Sequence, residues 1–426
     1  MNFKYLERQG EPEAGELVEL LKDKQKWRHF LAIPCCGEHQ LLPYTLESIG
    51  KAHRRGPVLV LLVINEGPHT KAEYVESNQK TFTYLHENYP LEELKQGILF
   101  ASTDTFDLVV IDRSGEFRFP PKKGVGLARK ICSDVGLALV QKGLCTSPWI
   151  HNTDGDARVP ADYFLQVEKL DPKSCSASFY EFRHESGEDK DETHWQAAQL
   201  YESWLRYYRL GLQYAGSPYD FHTIGSTITI NANHYSLVHG FPRREAGEDF
   251  YLLNKLAKVG KILKLEGDPI ILEDRLSSRV PFGTGQGTQK IKDSIVKGED
   301  YRVYHPIVFD CLKTYLSLVS TCILSGGDFS TMLNEISNKS IAETISNLEV
   351  DTLKAIQDAT QRSKTREAAL LQFHHWFDAF KTLKFIHFCR DQGMGTLMIQ
   401  DAVEKSVFIN GPSNNLEHLR VADSQS

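Results

Sequence analysis

Short apolar runs alternate along the first part of the chain with longer stretches whose apolar residues recur at helical spacing. His29 to Pro34 (HFLAIP), Pro57 to Ile64 (PVLVLLVI), Asp107 to Ile111 (DLVVI) and Pro148 to Asn152 (PWIHN) read as buried strands. Between them the spacing predicts helices at roughly 39–53, 70–86 and 124–143. Such alternation is the mark of an α/β architecture with a mainly parallel sheet.

Past residue 153 the alternation loosens. Ser174 to Phe182 and Gly225 to Asn231 (GSTITIN) read as strands, and Thr193 to Gln213 as a long aromatic-rich helix. Gly247 to Gly260 (GEDFYLLNKLAKVG) has acids in its first turn, apolar residues at Phe250, Leu253, Leu256 and Ala257, and a closing glycine. Those are the start and stop signals of a helix. Residues 275–300 are polar and carry Gly283, Gly285 and Gly287, which predicts a mobile loop. Beyond about residue 301 the pattern is helical, with Phe373, Trp376, Phe377, Phe380 and Leu383 on one face of one helix. The expected organisation is a helical lead-in over 1–28, an α/β domain over 29–300 and a helical C-terminal region over 301–426.

Composition narrows the function classes. A formal charge of −7 over 426 residues argues against a general nucleic-acid binder, which needs a basic face to displace counterions. The eight cysteines form no C-x-x-C pair and are thinly spread, so reduced thiols are expected and neither a zinc ribbon nor a disulfide framework. The first residues, MNFKYLERQGEPEAGEL, are charged and lack the apolar core of a signal peptide, and no segment reaches the roughly 18 uninterrupted apolar residues of a membrane span. The expectation is a cytoplasmic protein without a transmembrane segment, with contact at a membrane surface left open.

Two carboxylates two positions apart stand in SPWIHNTDGDARVP, residues 147–160. Asp154 and Asp156 follow a predicted buried strand, and open α/β sheets bind their ligands at strand ends. Hard oxygen ligands of this kind suit Mg²⁺ or Mn²⁺, which share their coordination with substrate phosphates. An EF-hand is excluded by Ala157 and Tyr163, which stand where the loop glycine and the bidentate Glu belong. The other reading of the triplet is a turn with Asx-type hydrogen bonds before a helix from Pro160.

The stretches FLAIPCCGEHQLLPYTLESI, VLVLLVINEG, HNTDGDARVP and HGFPRREAGEDFYLLNKLAKVG occur in one order over residues 29–285, about three fifths of the chain. This ordered set resembles the family 2 glycosyltransferases and their relatives with the GT-A fold, nucleotide-sugar-dependent transferases built around an acidic D-x-D. The resemblance implies a nucleotide pocket at Pro34 and Glu38, with Glu66 at the second strand end contacting base or ribose. The family's paired acids read here Asn65, Glu66, Gly67. It implies a diphosphate facing Gly124, Gly126, Lys123 and Arg129, in PPKKGVGLARKICSDVG. It makes Asp156 the direct metal ligand, with Asp154 on ribose or metal-bound water. The E-D pair, Glu248 and Asp249, lies near the acceptor, with Asp249 as base. In VHGFP, His239 replaces a glycine of the family's sugar-lining loop. Arg275 and Arg279, in EDRLSSRVPFGTG, read either as lid arginines brought to the diphosphate or as surface loop arginines.

Several residues keep plainer alternatives. Glu38 also reads as an acid favoured at a helix N-terminus, Glu248 and Asp249 as an acidic first turn, and Lys122 and Lys130 as a basic helix face. His222 and His305 are candidates to complete the metal site. His374 and His375 are adjacent, so on a helix they diverge by about 100° and cannot chelate as a pair. Trp195, Trp204 and Tyr208 read either as stacking platforms for a sugar or as core.

The function expected is transfer of one sugar from a nucleoside-diphosphate sugar to an acceptor hydroxyl with Mn²⁺ or Mg²⁺, by inversion with an Asp base. The Q-x-x-R-W motif of processive synthases is missing. The alternatives are a retaining GT-A enzyme with a glycerate-type acceptor, a nucleotidyltransferase that makes sugar nucleotides, and a non-catalytic relative that only binds. For the C-terminal helices a buried packing face is the default, beside a cover over the acceptor site, a homodimer contact or a membrane-surface contact.

Overall fold

In the computed structural model the described residues are 4–187, 191–274, 283–409 and 415–426. The chain forms two compact units, Met1–Asp191 with Thr223–Gln289, and Glu192–His222 with Lys290–Ser426.

The first unit begins with two helices, α1 (Lys4–Gln9) and α2 (Pro12–Leu21). It continues as β1 (His29–Cys35), α3 (Leu42–Lys51), β2 (Val58–Asn65), α4 (Ala72–Asn88), β3 (Glu92–Lys95), β4 (Ile98–Ser102), β5 (Asp107–Arg113), α5 (Val125–Gln141) and β6 (Trp149–Asn152). Then come β7 (Ala157–Arg158), α6 (Tyr163–Gln166), β8 (Cys175–Phe179) and β9 (Phe182–Ser186). Helix α7 (Glu192–Tyr214) belongs to the second unit, after which β10 (Ile228–Asn231), α8 (Ala232–Leu237), α9 (Glu248–Leu256), β11 (Lys261–Lys264) and β12 (Ile270–Asp274) complete the first.

Nine strands make one sheet in the order β11-β8-β10-β6-β1-β2-β5-β4-β3. Only β10 and β4 run against the others, so the sheet is mainly parallel. β1 and β2 are buried at every residue and pair in register from His29 with Val58 to Cys35 with Ile64. Strands covered on both faces have no polar side, which is why they read as unbroken apolar runs. Helix α5 is buried over nearly its whole length. A second, three-stranded sheet, β7-β12-β9, contains two strands too short or too polar to be seen in the sequence.

The second unit adds α10 from residue 290 of Thr284–Val296, β13 (Arg302–Tyr304), α11 (Ile307–Ser325), α12 (Phe329–Asn334), α13 (Lys339–Ser346), α14 (Glu349–Arg362), α15 (Arg366–Trp376), α16 (Ala379–Cys389), β14 (Thr396–Met398), α17 (Ile399–Lys405) and α18 (Leu416–Ser424). Thr284–Val296 is helical where a loop was expected; Thr288 and Ile291 are buried, three apart on one face, and that burial outweighs the glycines. The single aromatic helix expected around residue 376 is two, because Asp378 caps α16 by accepting from Lys381 N. Phe373 and Phe377 are buried, whereas Phe380 is 41% exposed. α11 is long and apolar enough to cross a membrane, but Val308, Phe309, Leu312, Tyr315 and Val319 lie in this unit's core.

Candidate active site

The sheet turns back on itself at β1, whose neighbours are β2 on one side and β6 on the other. The helices that follow adjacent strands diverge at such a point, and the crevice they leave at the carboxyl ends is where ligands bind. Glu38 follows the end of β1, Glu66 follows β2, and Asp154 and Asp156 follow β6.

The turn carrying both aspartates is fixed on every side. Thr153 N donates to Ala32 O at 3.1 Å, Ala157 N closes the turn on Asp154 O at 3.2 Å, and Thr45 Oγ1 donates to Gly155 O at 3.0 Å. The chain then enters β7, where Ala157 pairs with Leu272. Glu38 is buried and lies over Gly155; a Cβ there would sit 2.4 Å from Glu38 Oε2. Glycine between the two aspartates therefore leaves room for a third carboxylate.

Arg129, on α5, joins two acidic segments. Its Nη2 donates to Asp154 Oδ1 at 2.5 Å and its Nε to Glu248 Oε1 at 2.9 Å. Arg129 is 3% exposed, and its Nη1 is buried without a hydrogen-bond partner. The guanidinium lies against Gly225, where a Cβ would come within 2.6 Å of Nη2 and 2.8 Å of Cζ. Bidentate use of a planar fork by two carboxylates is a task for Arg and not for Lys. The expected diphosphate contact is thus, in this structure, a clamp on Asp154 and Glu248.

Gly247, with φ 70°, starts α9, which sets Glu248 and Asp249 in its first turn. Glu248 is buried, and Asp249 Oδ1 accepts from Phe250 N at 2.7 Å. The Asp249 carboxyl is pushed up to about 7 by burial first and then by the Glu248 charge, with Asp154 adding to the rise. Arg129 and the Phe250 N–H pull it the other way. A carboxyl so raised is half ionised near neutral pH, as a general base requires.

The nucleotide-side residues are partly engaged with one another. Pro34 is buried in β1, paired with Val63. Glu66 Oε1 accepts from Asn78 Nδ2 at 3.1 Å and Oε2 from Gly115 N at 3.2 Å. Asn78 also donates to Asn65 O and accepts from Gly37 N, so it ties the ends of β1 and β2 together; nothing in the sequence pointed to it. Lys123 Nζ donates to Arg243 O at 3.3 Å. Gly126 lies within α5, and a Cβ on it would meet Arg244 O at 2.5 Å and Pro242 O at 2.8 Å. Close packing of α5 on the 242–245 loop thus accounts for this glycine without a phosphate.

Arg275 and Arg279 lie outside the described residues. His222 Nε2 is 3.0 Å from Asp423 Oδ2, which Arg206 also holds, and His305 Nδ1 accepts from Ile307 N; both histidines have protein partners in the second unit. Trp204 and Tyr208 pack against that unit's core, and Trp195 is half-buried on the same helix. His151 is a buried neutral ring bonded to the Tyr180 hydroxyl, and Arg158 pairs with Glu185. Among the described residues no three His, Cys, Asp or Glu form a metal-holding group.

No family model matches the chain, and no curated protein is similar to it. Among solved structures, residues 1–349 of TarS from S. aureus in complex with UDP-GlcNAc are 10% identical, with a TM-score of 0.37 over 82% of this chain and 91% of that one. The mannosyltransferase PcManGT from Pyrobaculum calidifontis, in complex with GDP-Man and Mn²⁺, is 14% identical, with a TM-score of 0.37 over 89% and 93%. Likeness at this level leaves the chemistry to the residues themselves.

Proposed function

We propose that the protein is a glycosyltransferase that moves one sugar from a nucleoside-diphosphate sugar to an acceptor hydroxyl, with Asp249 as base and inversion at the anomeric carbon. The observation that carries this reading is the Arg129 clamp. It brings the D-x-D turn at the switch point and the E-D pair of α9 to one guanidinium, at the carboxyl ends of the central strands where a nucleotide would bind.

A displacement at the anomeric carbon needs a carboxylate to take the proton of the attacking hydroxyl. Asp249, poised near 7, suits that role, while Glu248 stays bound to Arg129. Glu66 and Glu38 are offered to the nucleoside, as hydrogen-bond acceptors at the ends of β2 and β1. Among the described residues, a diphosphate arriving here meets the carboxylates of Asp154, Asp156, Glu248 and Asp249 beside the guanidinium of Arg129, so like charge opposes it. The donor set is all hard oxygen and fits Mg²⁺ or Mn²⁺, which complete their shell with phosphate oxygens. Asp156, the direct ligand that the resemblance implies, is the residue to hold such an ion, and the ion would supply charge to the leaving diphosphate. Eight thiols without a disulfide suit a reducing, cytoplasmic setting.

The test is a thermal-shift panel of UDP-, GDP- and dTDP-sugars with Mn²⁺ or Mg²⁺, run on the parent and on Asp156→Ala, followed by NMR of the product anomer. A metal-dependent shift lost in the variant, and an inverted product, are expected. A variant that responds like its parent removes the metal from this turn, a retained anomer removes the base role of Asp249, and release of pyrophosphate from a nucleoside triphosphate replaces the reading with a nucleotidyltransferase.

A further inference from the structure

Lys130, one residue beyond Arg129 in α5, is buried, and so is Asp134 one turn later. Lys130 Nζ donates to Asp134 Oδ2 at 2.7 Å and to the Tyr5 hydroxyl at 2.6 Å. Tyr5 and Tyr235 both donate to Asp134 Oδ1, at 2.8 and 2.9 Å, and the backbone N–H of Glu11 donates to Oδ2 at 2.9 Å. One carboxylate thus accepts from four parts of the chain: α1, the start of α2, α5 and α8. A buried ion pair is costly unless its remaining hydrogen-bonding capacity is filled, and here two tyrosines and an amide fill it.

The same network reaches the loop that leads into Glu248. Phe241 N donates to the Tyr235 hydroxyl, and Lys255 Nζ donates to Val238 O at 2.9 Å and Gly240 O at 3.2 Å. His239 is held in the left-handed region, at φ 62°, which a side chain with a Cβ rarely adopts unpaid, and its ring stands edge-on to Tyr5 with centroids 6.1 Å apart. Arg243 Nε pairs with Glu11 Oε1 at 2.5 Å. The loop is therefore gripped from the helices at the start of the chain, while Glu248 at its far end is gripped by Arg129 on the same α5.

We infer that α1 and α2 form a clamp on the 238–246 loop, and that Tyr5 and Glu11 are positioning residues that set where α9 presents Glu248 and Asp249. Neither touches the reacting groups. Their effect passes through Asp134 and the loop backbone to the first turn of α9. The inference uses the transferase reading only for its kinetic consequences; the clamp itself can be read without turnover.

The experiment compares the full chain with Tyr5→Phe, which keeps the ring, and Glu11→Gln, which removes the charge facing Arg243 but keeps the backbone N–H that donates to Asp134. Limited trypsin digestion, followed by mass, reads cleavage after Arg243 and Arg244, both exposed in this loop. Each variant is expected to raise that cleavage about five- to tenfold, the population change from losing one hydrogen bond or ion pair, with other sites cut at parental rates. In turnover, kcat is expected to fall about tenfold at unchanged donor Kd, and the acid limb of the pH–rate profile to move below the parental value near 7 as water reaches Asp249. Parental cleavage at Arg243 and Arg244 in both variants overturns the clamp; faster cleavage with an unmoved kcat and pH profile overturns the positioning role. If the parent transfers no sugar from any donor, the proposed function fails and the cleavage rates alone decide the clamp.

Discussion

Arg129 donates to Asp154 at 2.5 Å although 25 residues separate them, and the same guanidinium holds Glu248, 119 residues from Arg129 along the chain. Two acidic segments that would repel each other in a buried setting are thereby kept side by side. The side chain at 129 is a structural precondition for the site's charge pattern as well as part of it.

Arg129→Met leaves Glu248 buried and without its cation. Loss of about 3–5 kcal/mol in denaturant unfolding is expected, with activity abolished. Arg129→Lys keeps the charge but not the fork, so it should recover part of the stability and little of the activity. Equal stability of the parent and the Met variant would show that the clamp carries no weight.

With Asp249 as the proposed base, the pH dependence follows from its carboxyl. Its carboxyl is raised to about 7, so kcat/KM should climb through an apparent pKa near 7 as the base ionises. Because the folded pKa lies above the ordinary carboxylate value, this group favours the folded state at low pH and that contribution is lost as pH rises through 7. Asp249→Asn should cut kcat by about 10²–10⁴-fold, leave donor binding intact and make the folded state less sensitive to pH between about 4 and 7. A pH–rate profile flat across neutrality in the parent would remove Asp249 as the base.

Gly155→Ala sets a methyl against Glu38 Oε2. A cost of about 1–3 kcal/mol is expected, together with weaker sugar-nucleotide binding. In the double variant with Glu38→Ala the methyl has room, so the thermal cost of Gly155→Ala should largely vanish. A double-mutant cycle with no coupling would show that the two positions do not meet.

His29 and His151 are buried with ring centroids 6.0 Å apart, the first at the start of β1 and the second within β6, the strands that lead to Glu38 and to the D-x-D turn. His29 is lowered to about 4, by burial first and then by Arg28, and His151 lies well below its ordinary value for the same first reason. The unfolded chain therefore binds more protons between pH 6.5 and 4, and stability falls as pH drops through that window. Both ring nitrogens of His29 lack partners, and Phe164 is 5.0 Å away, so His29→Phe should fold well. It should reduce the loss between pH 6.5 and 4 by about 2 kcal/mol in urea titrations, a discounted share of the shift. An unchanged pH dependence in His29→Phe would rule this ring out as the acid-labile group.

The fully buried strands were legible because unbroken apolar runs such as VLVLLVI have few other uses in a soluble domain. Asp154, Asp156 and Asp249 were legible as candidates because they follow such strands or open a helix. What escaped depended on distant contacts. Ala157–Arg158 is a strand only because Ile271 and Leu272 lie beside it. The resemblance makes Arg129 a diphosphate contact on a glycine-flanked helix, and only the folded chain turns it toward carboxylates. Asn78, Gly225 and Tyr5 carry no motif at all; each matters through a single neighbour. The break before α16 was present in the sequence as Asp378, but a continuous aromatic stripe hid the cap.

The contact between Gly225 and the Arg129 guanidinium binds the histories of two positions together. A lineage that keeps arginine at 129 can accept nothing larger than hydrogen at 225, whereas one that gives up the arginine is released from that limit. Among relatives of this chain, side chains at 225 should therefore appear only where 129 has already changed, and the pair would serve as a sequence tag separating chains that retain the acidic clamp from those that have lost it.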